Sequence, residues 1–332
     1  MTHMTVEPTA VTARPSGREG VLRERLVATM PLLVLGLLLL AIGINEPSFL
    51  RPASIGTIIQ ISAPIMILAL GQTFVILTGG IDLSQAVLAS FGTVLVALWI
   101  GPLGGFGVVL AVLAITAAGL LNGAVSAYAQ VPSFIVTLGS MGFWGAVAML
   151  VSGATTISIT AGHDTIGWLV TTRLWGIPLG AVLVVGASLL VGALLPLLAR
   201  GNVFHAMGLA EAAALLSGVR TRRVRVLAFG ISALCAGCAA VMMGASQYSG
   251  SPTLANSLLL PVIAAVAIGG TAITGGVGGP FRSLVGALVI GVLRVGMGIV
   301  GVDPAFEQIM YGAGIIVAVA FTLDRSRIGI VK

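Results

Sequence analysis

The sequence predicts an all-α polytopic membrane protein with about ten transmembrane helices. Of its 332 residues, 58% are hydrophobic and only 8% are charged, whereas a soluble domain carries about 25% charged residues. Glycine accounts for 46 residues, and small residues let helices approach closely inside a bilayer. Apolar runs of about 20 residues, the length that crosses a bilayer, recur along the chain. These observations exclude a soluble enzyme, a disordered chain and a secreted disulfide-rich protein.

Polar segments divide the chain into one membrane domain, residues 26–324, and two tails, residues 1–25 and 325–332. The predicted spans are residues 26–45, 54–78, 83–100, 104–128, 131–151, 178–199, 226–245, 258–273, 283–301 and 306–323. Residues 152–177 are polar and mixed, and we interpret them as an external loop. Residues 200–225 are rich in arginine, which indicates a cytoplasmic loop.

The basic residues orient the chain. With the N-terminus in the cytoplasm, 13 of the 16 lysine and arginine residues lie on the cytoplasmic side, in the two tails, the loop 200–225 and the link before the ninth span. This asymmetry follows the positive-inside rule, so we expect both termini in the cytoplasm. A nucleic-acid partner would need a contiguous basic face, which this distribution does not provide.

A short helix is predicted within the loop 200–225. The segment Glu211-Ala212-Ala213-Ala214-Leu215-Leu216 favours a helix, and Gly218 is placed to end it. Two turns are too short to cross a membrane or to be stable alone. We therefore expect this helix to dock against another protein; the alternative is a helix that rests on lipid headgroups.

Asp82 and Arg294 are charged residues whose positions at or within the predicted spans call for an explanation. Asp82 follows the second span, where it either caps the next helix or lies at a transport path or its gate. Arg294 lies about 18 Å into the ninth span at 1.5 Å per residue. We expect it to face the bundle interior, an aqueous path or a partner carboxylate.

Motifs of nucleotide, metal or catalytic sites have simpler explanations here. Gly296-Met297-Gly298-Ile299-Val300-Gly301 matches a dinucleotide fingerprint but lies inside a predicted span, not between a strand and a helix. Cys235 and Cys238 lack the further ligands that zinc requires. The histidines lie outside the predicted spans, and Asp82 is the one aspartate near a span that could serve an intramembrane protease. We expect no catalytic residue, metal site or cofactor site in this chain.

A short internal repeat marks two corresponding places. Thr78-Gly79-Gly80-Ile81 ends the second span and Thr274-Gly275-Gly276-Val277 ends the eighth. Transporters often contain duplicated halves with glycine-interrupted helices near the transport path. Coincidence in a glycine-rich chain is the alternative explanation.

Several segments together resemble one family. They are Thr78-Gly79-Gly80-Ile81-Asp82-Leu83-Ser84, Asn122-Gly123, Val131-Pro132-Ser133-Phe134-Ile135-Val136-Thr137-Leu138-Gly139 and Ile263-Ala264-Ala265-Val266-Ala267-Ile268-Gly269-Gly270-Thr271. The chain resembles the permease subunits of monosaccharide ATP-binding-cassette (ABC) importers of the ribose type, which include xylose and autoinducer-2 permeases. The matches run in order from about residue 30 to residue 324.

The resemblance implies the ten-span importer fold and a position in the bacterial inner membrane. It implies a cytoplasmic ATPase partner that binds ATP and magnesium, an extracytoplasmic sugar-binding protein, and a second permease copy or paralogue. The segment from Gly201 to Gly218 resembles the coupling segment of the family. By that resemblance, the residues that transmit ATP-driven motion are Gly208, Glu211, Ala212 and Gly218.

The chain departs from the family pattern at two places that bear on packing. Gln85-Ala86 stands where Val-Gly is usual, and Arg282-Ser283 stands where Gly-Thr is common. The second change puts in question a close backbone approach at that point.

The function predicted is the membrane subunit of an ABC importer for a monosaccharide or related polyol, without catalytic activity of its own. A sugar needs hydroxyl and amide contacts, so the candidate path or gate residues are Gln72, Thr73, Asp82, Asn122, Ser140 and Arg294. The alternative is an ion-coupled secondary transporter of a small polar solute, with Asp82, Asp303 or Glu307 as the titrating group. A structural membrane scaffold is a third interpretation.

Overall fold

The computed structural model describes residues 18–194, 201–303 and 305–322. Twelve α-helices lie in these ranges: α1 Arg18–Asn45, α2 Pro52–Leu77, α3 Gln85–Tyr128, α4 Ser133–Ser152, α5 Asp164–Thr171, α6 Leu179–Leu194, α7 Gly201–Leu209, α8 Glu211–Leu216, α9 Thr221–Gln247, α10 Leu259–Ile268, α11 Pro280–Val300 and α12 Ala305–Thr322. The predicted tail 325–332 and residues 1–17 of the first tail lie outside the described residues.

Helix α2 occupies the centre of the bundle. Every residue from Ile65 to Leu77 is buried, and the sequence there is apolar all round, as a fully surrounded helix requires. Helices α6, α9, α10 and α11 pack around it. At the periphery, α1, α4 and α12 expose large apolar side chains, among them Leu37, Leu150 and Ile316. A buried centre with an apolar outer surface is the arrangement of a polytopic membrane protein, and it confirms the predicted fold class.

Helix α3 is a helical hairpin. Gly104 has the non-helical dihedral angles φ 57° and ψ −138°, and the chain turns back there. A Cβ added at Gly92 would lie 3.3 Å from Ile115 Cγ1, which places the two arms side by side. The two arms correspond to the separate spans predicted over residues 83–100 and 104–128.

Glycine allows the second arm of α3 to pack closely against α9. A Cβ added at Gly123 would lie 2.8 Å from Val226 Cα, and one added at Gly119 would collide with Ala233 Cβ. Such backbone approach is available only to small residues, and it stabilises helix pairs in a bilayer where no hydrophobic effect drives association. The high glycine content thus serves helix packing.

The region between α4 and α6 has regular structure. Strand β1 (Ile157–Ser158) pairs in antiparallel fashion with β4 (Ser249–Gly250), with Ile157 opposite Gly250. Strands β2 (Arg173–Leu174) and β3 (Ile177–Pro178) form a two-stranded hairpin. The predicted external loop 152–177 therefore contains helix α5 and strands, and β1 ties it to the end of α9.

Two predicted segments differ in the structure. The eighth span, predicted over about 258–273, is shorter as a helix in the structure: α10 covers ten residues and ends at Gly269 and Gly270. The predicted loop 200–225 contains two helices, α7 and α8, and its last residues already belong to α9.

Within the part of the chain that the structure describes, five helices are long and apolar enough by themselves to cross a membrane: α2, α3, α4, α9 and α11. Shorter apolar helical segments add to these within α1, α6, α10 and α12. The count of ten spans stays a prediction, since it depends on the hairpin of α3 and on these shorter segments.

Candidate transport and coupling sites

Asp82 is the centre of a buried polar cluster. It lies between α2 and α3 with no exposed surface. The Ser84 backbone N–H and hydroxyl donate to Asp82 Oδ1 at 3.0 and 2.6 Å, and the Ser232 hydroxyl of α9 donates to Oδ2 at 2.8 Å. Asp82 thus accepts hydrogen bonds at the start of α3, as the capping alternative expects, while its place at a transport path or gate stays a prediction.

Amide side chains complete this cluster. The Asn122 Nδ2 donates to Ser84 Oγ at 3.0 Å. The Gln72 amide pairs with the Asp82 backbone, with its nitrogen 3.2 Å from the carbonyl oxygen and its oxygen 3.2 Å from the N–H. Gln85 Nε2 donates to the Leu68 and Ser232 carbonyl oxygens at 3.0 and 3.2 Å. The structure thus brings together three of the predicted path residues, Gln72, Asp82 and Asn122, as internal hydrogen-bond partners.

Thr73 belongs to a second buried cluster. Its hydroxyl donates to Ser283 Oγ at 2.7 Å, and Ser283 Oγ lies 3.2 Å from the Thr271 hydroxyl. The Gly279 N–H donates to Thr271 Oγ1 at 3.2 Å. This cluster joins α2 to the loop between α10 and α11.

The close backbone approach near Ser283 is present despite the departure from the family pattern. A Cβ added at Gly269 would collide with the Arg282 carbonyl oxygen and lie 2.9 Å from Ser283 Cα. The glycine on the opposite side of the contact provides the space, so the substitution at residues 282–283 leaves the approach intact.

Ser140 stands apart from both clusters. It lies on α4, is buried, and its hydroxyl has no hydrogen-bond partner among the described residues. A buried hydroxyl without a partner is costly and calls for an unseen water, ligand or partner group. Ser140 therefore remains a candidate path residue.

Arg294 has a carboxylate partner, one of the three surroundings expected for it. Its Nε lies 3.6 Å from Glu307 Oε2 of α12, and Tyr311 Oη donates to the same oxygen at 3.0 Å. These contacts join α11 to α12. They also occupy the carboxylate of Glu307, one of the three residues that would titrate in an ion-coupled transporter. A role for Arg294 at the path stays a prediction.

Three backbone segments meet at a glycine junction formed by Gly79, Gly208, Gly275 and Gly276. The Gly276 N–H donates to the Leu77 carbonyl oxygen at 3.0 Å. A Cβ added at Gly208 would collide with that carbonyl and with the Gly276 nitrogen. A Cβ added at Gly275 would lie 2.8 Å from Gly79 Cα. The two halves of the internal repeat therefore lie against each other and against the end of α7.

Side chains of α7 support the glycine junction. Phe204 packs edge-on against Phe74 of α2, with ring centroids 5.2 Å apart. His205 Nε2 lies 3.0 Å from the Gly278 carbonyl oxygen. Helix α7 is therefore fixed to α2 and to the loop before α11 by backbone and side-chain contacts.

Helix α8 is the two-turn helix that the sequence predicted. It ends as expected, with Gly218 in the left-handed region at φ 84° and its N–H donating to the Leu215 carbonyl. Only Ala214 among its six residues is buried, and Leu216 is 90% exposed. Glu211 Oε2 accepts a hydrogen bond from Arg225 Nη2 at 2.7 Å, so α8 is tied to the first turns of α9.

The described residues contain no cluster of histidine, cysteine or acidic side chains that could hold a metal ion. Cys235 and Cys238 are both unpaired in α9, and Cys235 is buried. These cysteines act as small packing residues.

Sequence reasoning missed several members of these sites. Ser232 lies in an apolar helix with no motif around it, and Ser283 was noted only as part of a departure from the family pattern. Their partners are about 150 and 210 residues away in sequence. Gln85 was noted as a departure, and a large amide at the start of a buried helix was a signal that it needs internal partners. Asn256 and Ser257 lie just before the eighth predicted span and were not considered as path residues, although the polar side chains and Pro252 distinguish this segment from a span.

Comparison with known proteins places these features in context. A family model described as "Branched-chain amino acid transport system / permease component" matches residues 54–319. The ribose import permease protein of Bacillus subtilis is 32% identical over 303 residues, which cover 90% of this chain and 92% of that protein.

Two further relatives come from Escherichia coli K12. Its ribose import permease protein is 30% identical over 92% of this chain and 96% of its own length. Its D-allose transport system permease protein is 29% identical over 88% of this chain and 90% of its own length. No solved structure matches the chain significantly.

Proposed function

This chain belongs to the family of ribose-type permeases of ABC transporters, and from that premise we propose that it is the membrane subunit of an ABC importer for a monosaccharide or related polyol. The relatives are permease components. ATP hydrolysis, with its ATP and magnesium, accordingly belongs to a partner ATPase.

The glycine junction is the observation that carries the ATP-driven part of this proposal. Helix α8 exposes Leu215 and Leu216, which gives a partner ATPase an apolar contact. Helix α7 joins α8 to the junction, where α2 and the loop before α11 meet. Displacement of α8 would therefore move the end of α2 and the start of α11, because the backbones are in direct contact at the junction. Alternating access requires such a movement.

The coupling residues have distinct expected tasks in this scheme. Gly208 provides the close backbone contact, and Gly218 ends α8. Glu211 ties α8 to α9 through Arg225, while Ala212 is exposed on the outer face. The lipid-headgroup alternative for α8 is less favoured, because interfacial helices bury a long apolar face, whereas this six-residue helix offers only Leu215 and Leu216.

The polar side chains support a neutral substrate. The described buried polar set consists of hydroxyls and amides with Asp82 as its single ionisable member, and that carboxylate accepts internal hydrogen bonds. A zwitterionic amino acid would call for charged partners of both signs, whereas a sugar needs hydrogen-bonding groups. The names of the relatives, which refer to ribose and allose, agree with this substrate class.

The remaining assignments complete the transporter. We infer a bacterial inner membrane location with cytoplasmic termini, from the distribution of basic residues. A sugar-binding protein would meet the opposite end, where α5 and the four strands lie. A second permease copy or paralogue would cover part of the apolar outer surface.

Uptake into proteoliposomes tests the substrate class. The permease is reconstituted with the ATPase and the binding protein of its own gene cluster, and uptake of labelled ribose, allose and leucine is compared. We expect ATP-dependent uptake of a sugar and none of leucine. Leucine uptake without sugar uptake would contradict the proposal.

A further inference from the structure

Between β4 and α11 the chain does not form one long transmembrane helix, but a series of turns followed by the short helix α10. After β4 the backbone forms turns and one 3₁₀ turn, Asn256–Leu258, and only then continues as α10. A ten-residue helix is about 15 Å long, which covers about half of the apolar thickness of a bilayer. The other half of this crossing is therefore non-helical.

The residues from Ser251 to Leu258 lie beside the first arm of α3, which we assign to the membrane by its length and apolar composition. Ser90 and Thr93 are the contacts, five and eight residues from the start of α3, or about 7 and 12 Å along its axis. The Ala255 N–H donates to Ser90 Oγ at 2.9 Å, and the Ser251 N–H donates to Thr93 Oγ1 at 3.0 Å. These hydroxyls replace the hydrogen bonds that a continuous helix would have made.

One face of this segment is open and polar. Thr253, Asn256 and Ser257 are exposed, while Ala255 and Leu258 between and beside them are buried. Asn256 Oδ1 accepts a hydrogen bond from Ser90 Oγ at 2.9 Å. Among the described residues its Nδ2 has no hydrogen bond, and the side chain is exposed, so two N–H donors are available to a partner.

Contact with lipid hydrocarbon does not explain why these polar side chains are exposed. Irregular backbone at membrane depth occurs only where protein buries it or where it borders a water-filled cavity. Exposed amide and hydroxyl side chains at that depth fit the second case, because hydrocarbon would leave their polar groups without partners.

We propose that Asn256 and Ser257 line the translocation path and donate hydrogen bonds to a neutral, hydroxyl-bearing solute. This inference rests on the proposed import of a sugar and adds contact residues to it. Asn256 is held by Ser90 on one side and offers its Nδ2 group to the solute on the other. Ser257 adds a hydroxyl, and Thr253 a second one on the side of β4.

Cysteine accessibility tests the proposal in the complete transporter. Cys235 and Cys238 are first replaced by alanine, and single cysteines are introduced as Asn256→Cys and Ser257→Cys. Leu113→Cys is the matched control, because Leu113 is an exposed apolar residue of α3 near Ile115, which packs at the level of Gly92. Leu258→Cys is the buried control.

Proteoliposomes containing the permease, its ATPase and its binding protein are treated with a charged, membrane-impermeant methanethiosulfonate reagent. We expect Asn256→Cys and Ser257→Cys to react at least about tenfold faster than both controls, since the reagent needs a hydrated thiolate. Transported sugar should slow the reaction, and the modified Ser257→Cys transporter should lose uptake.

Slow reaction at both positions, in a transporter that still imports sugar, would overturn the assignment and indicate that a second permease copy or another protein covers the segment. Equal reaction of Leu113→Cys would overturn it as well. Failure of the unmodified transporter to import any sugar would contradict the proposed function instead, and fast reaction at both positions would still identify the water-filled path. Two independent positions keep the test valid if one variant fails to fold.

Discussion

At the scale of single residues, Asp82 organises the polar contacts among three central helices. Its carboxylate accepts two hydrogen bonds from Ser84 and one from Ser232. A buried carboxylate is tolerated when such donors surround it. The sequence predicted a cap or a path residue at this position, and it could not predict Ser232, since a lone serine in an apolar helix has no pattern around it.

Substitution of Asp82 tests whether this cluster stabilises the fold. Asp82→Leu leaves the three donors without an acceptor, at a cost of about 1–3 kcal/mol for each. We expect the melting temperature of the purified protein to fall by more than about 5 °C. The melting temperature of Asp82→Asn should fall less, because the asparagine oxygen still accepts a hydrogen bond from Ser84 and its nitrogen can donate one to Ser232.

The control for this prediction is Asp164→Leu. Asp164 is 95% exposed at the side chain and contacts only the neighbouring His163, at 3.1 Å. Exposed ion pairs contribute about 0–1 kcal/mol, so the control should melt close to the wild-type protein. A wild-type melting temperature for Asp82→Leu would contradict the structural role of the cluster.

At the scale of helices and loops, the glycine junction links α7 to the centre of the bundle. The internal repeat around Gly79 and Gly275 drew attention to two distant segments, and the structure brings them into contact. The sequence also predicted α8 with its start, its two turns and its stop at Gly218. Local signals sufficed there, because helix propensity and a left-handed glycine act within a few residues.

Other elements depended on tertiary contacts and could not be predicted from the sequence. The course of the segment before α10 depends on the hydroxyls of Ser90 and Thr93, which lie on another helix and accept hydrogen bonds from its backbone N–H groups. Helix α7 was taken as part of a loop, because its contacts with Phe74 and Gly278 are distant in sequence.

Gly208→Ala tests the glycine junction. The added methyl group would collide with the Leu77 carbonyl and the Gly276 nitrogen, both backbone atoms. Such overpacking costs about 1–3 kcal/mol, which corresponds to about fivefold or more in a rate if it falls on the coupled motion. We expect sugar uptake by the reconstituted transporter to decrease by about that factor, with a smaller decrease in ATP hydrolysis.

Gly186→Ala provides the matched control for this measurement. Gly186 lies in α6 with no atom within 4 Å of an added Cβ, so alanine should be tolerated there. Unchanged uptake by Gly208→Ala, with α7 still in place by cross-linking to α2, would show that motion does not pass through the junction.

At the scale of the whole molecule, scarcity of charge and abundance of glycine have one common explanation. A bundle with an apolar outer surface excludes charge, and its closely packed helices require small residues at their contacts. The few ionisable side chains described inside the bundle are engaged, Asp82 with serines and Arg294 with Glu307. So few charged side chains inside the bundle are consistent with transport of a neutral solute and with ATP hydrolysis on another subunit.

The energy source of uptake tests the central claim of this account most directly. Labelled sugar uptake by proteoliposomes with the ATPase and the binding protein is measured with ATP and a proton ionophore, and again with a proton gradient and no ATP. We predict uptake that requires ATP and persists with the ionophore. Uptake that the ionophore abolishes while ATP is held constant would contradict the account and favour an ion-coupled secondary transporter.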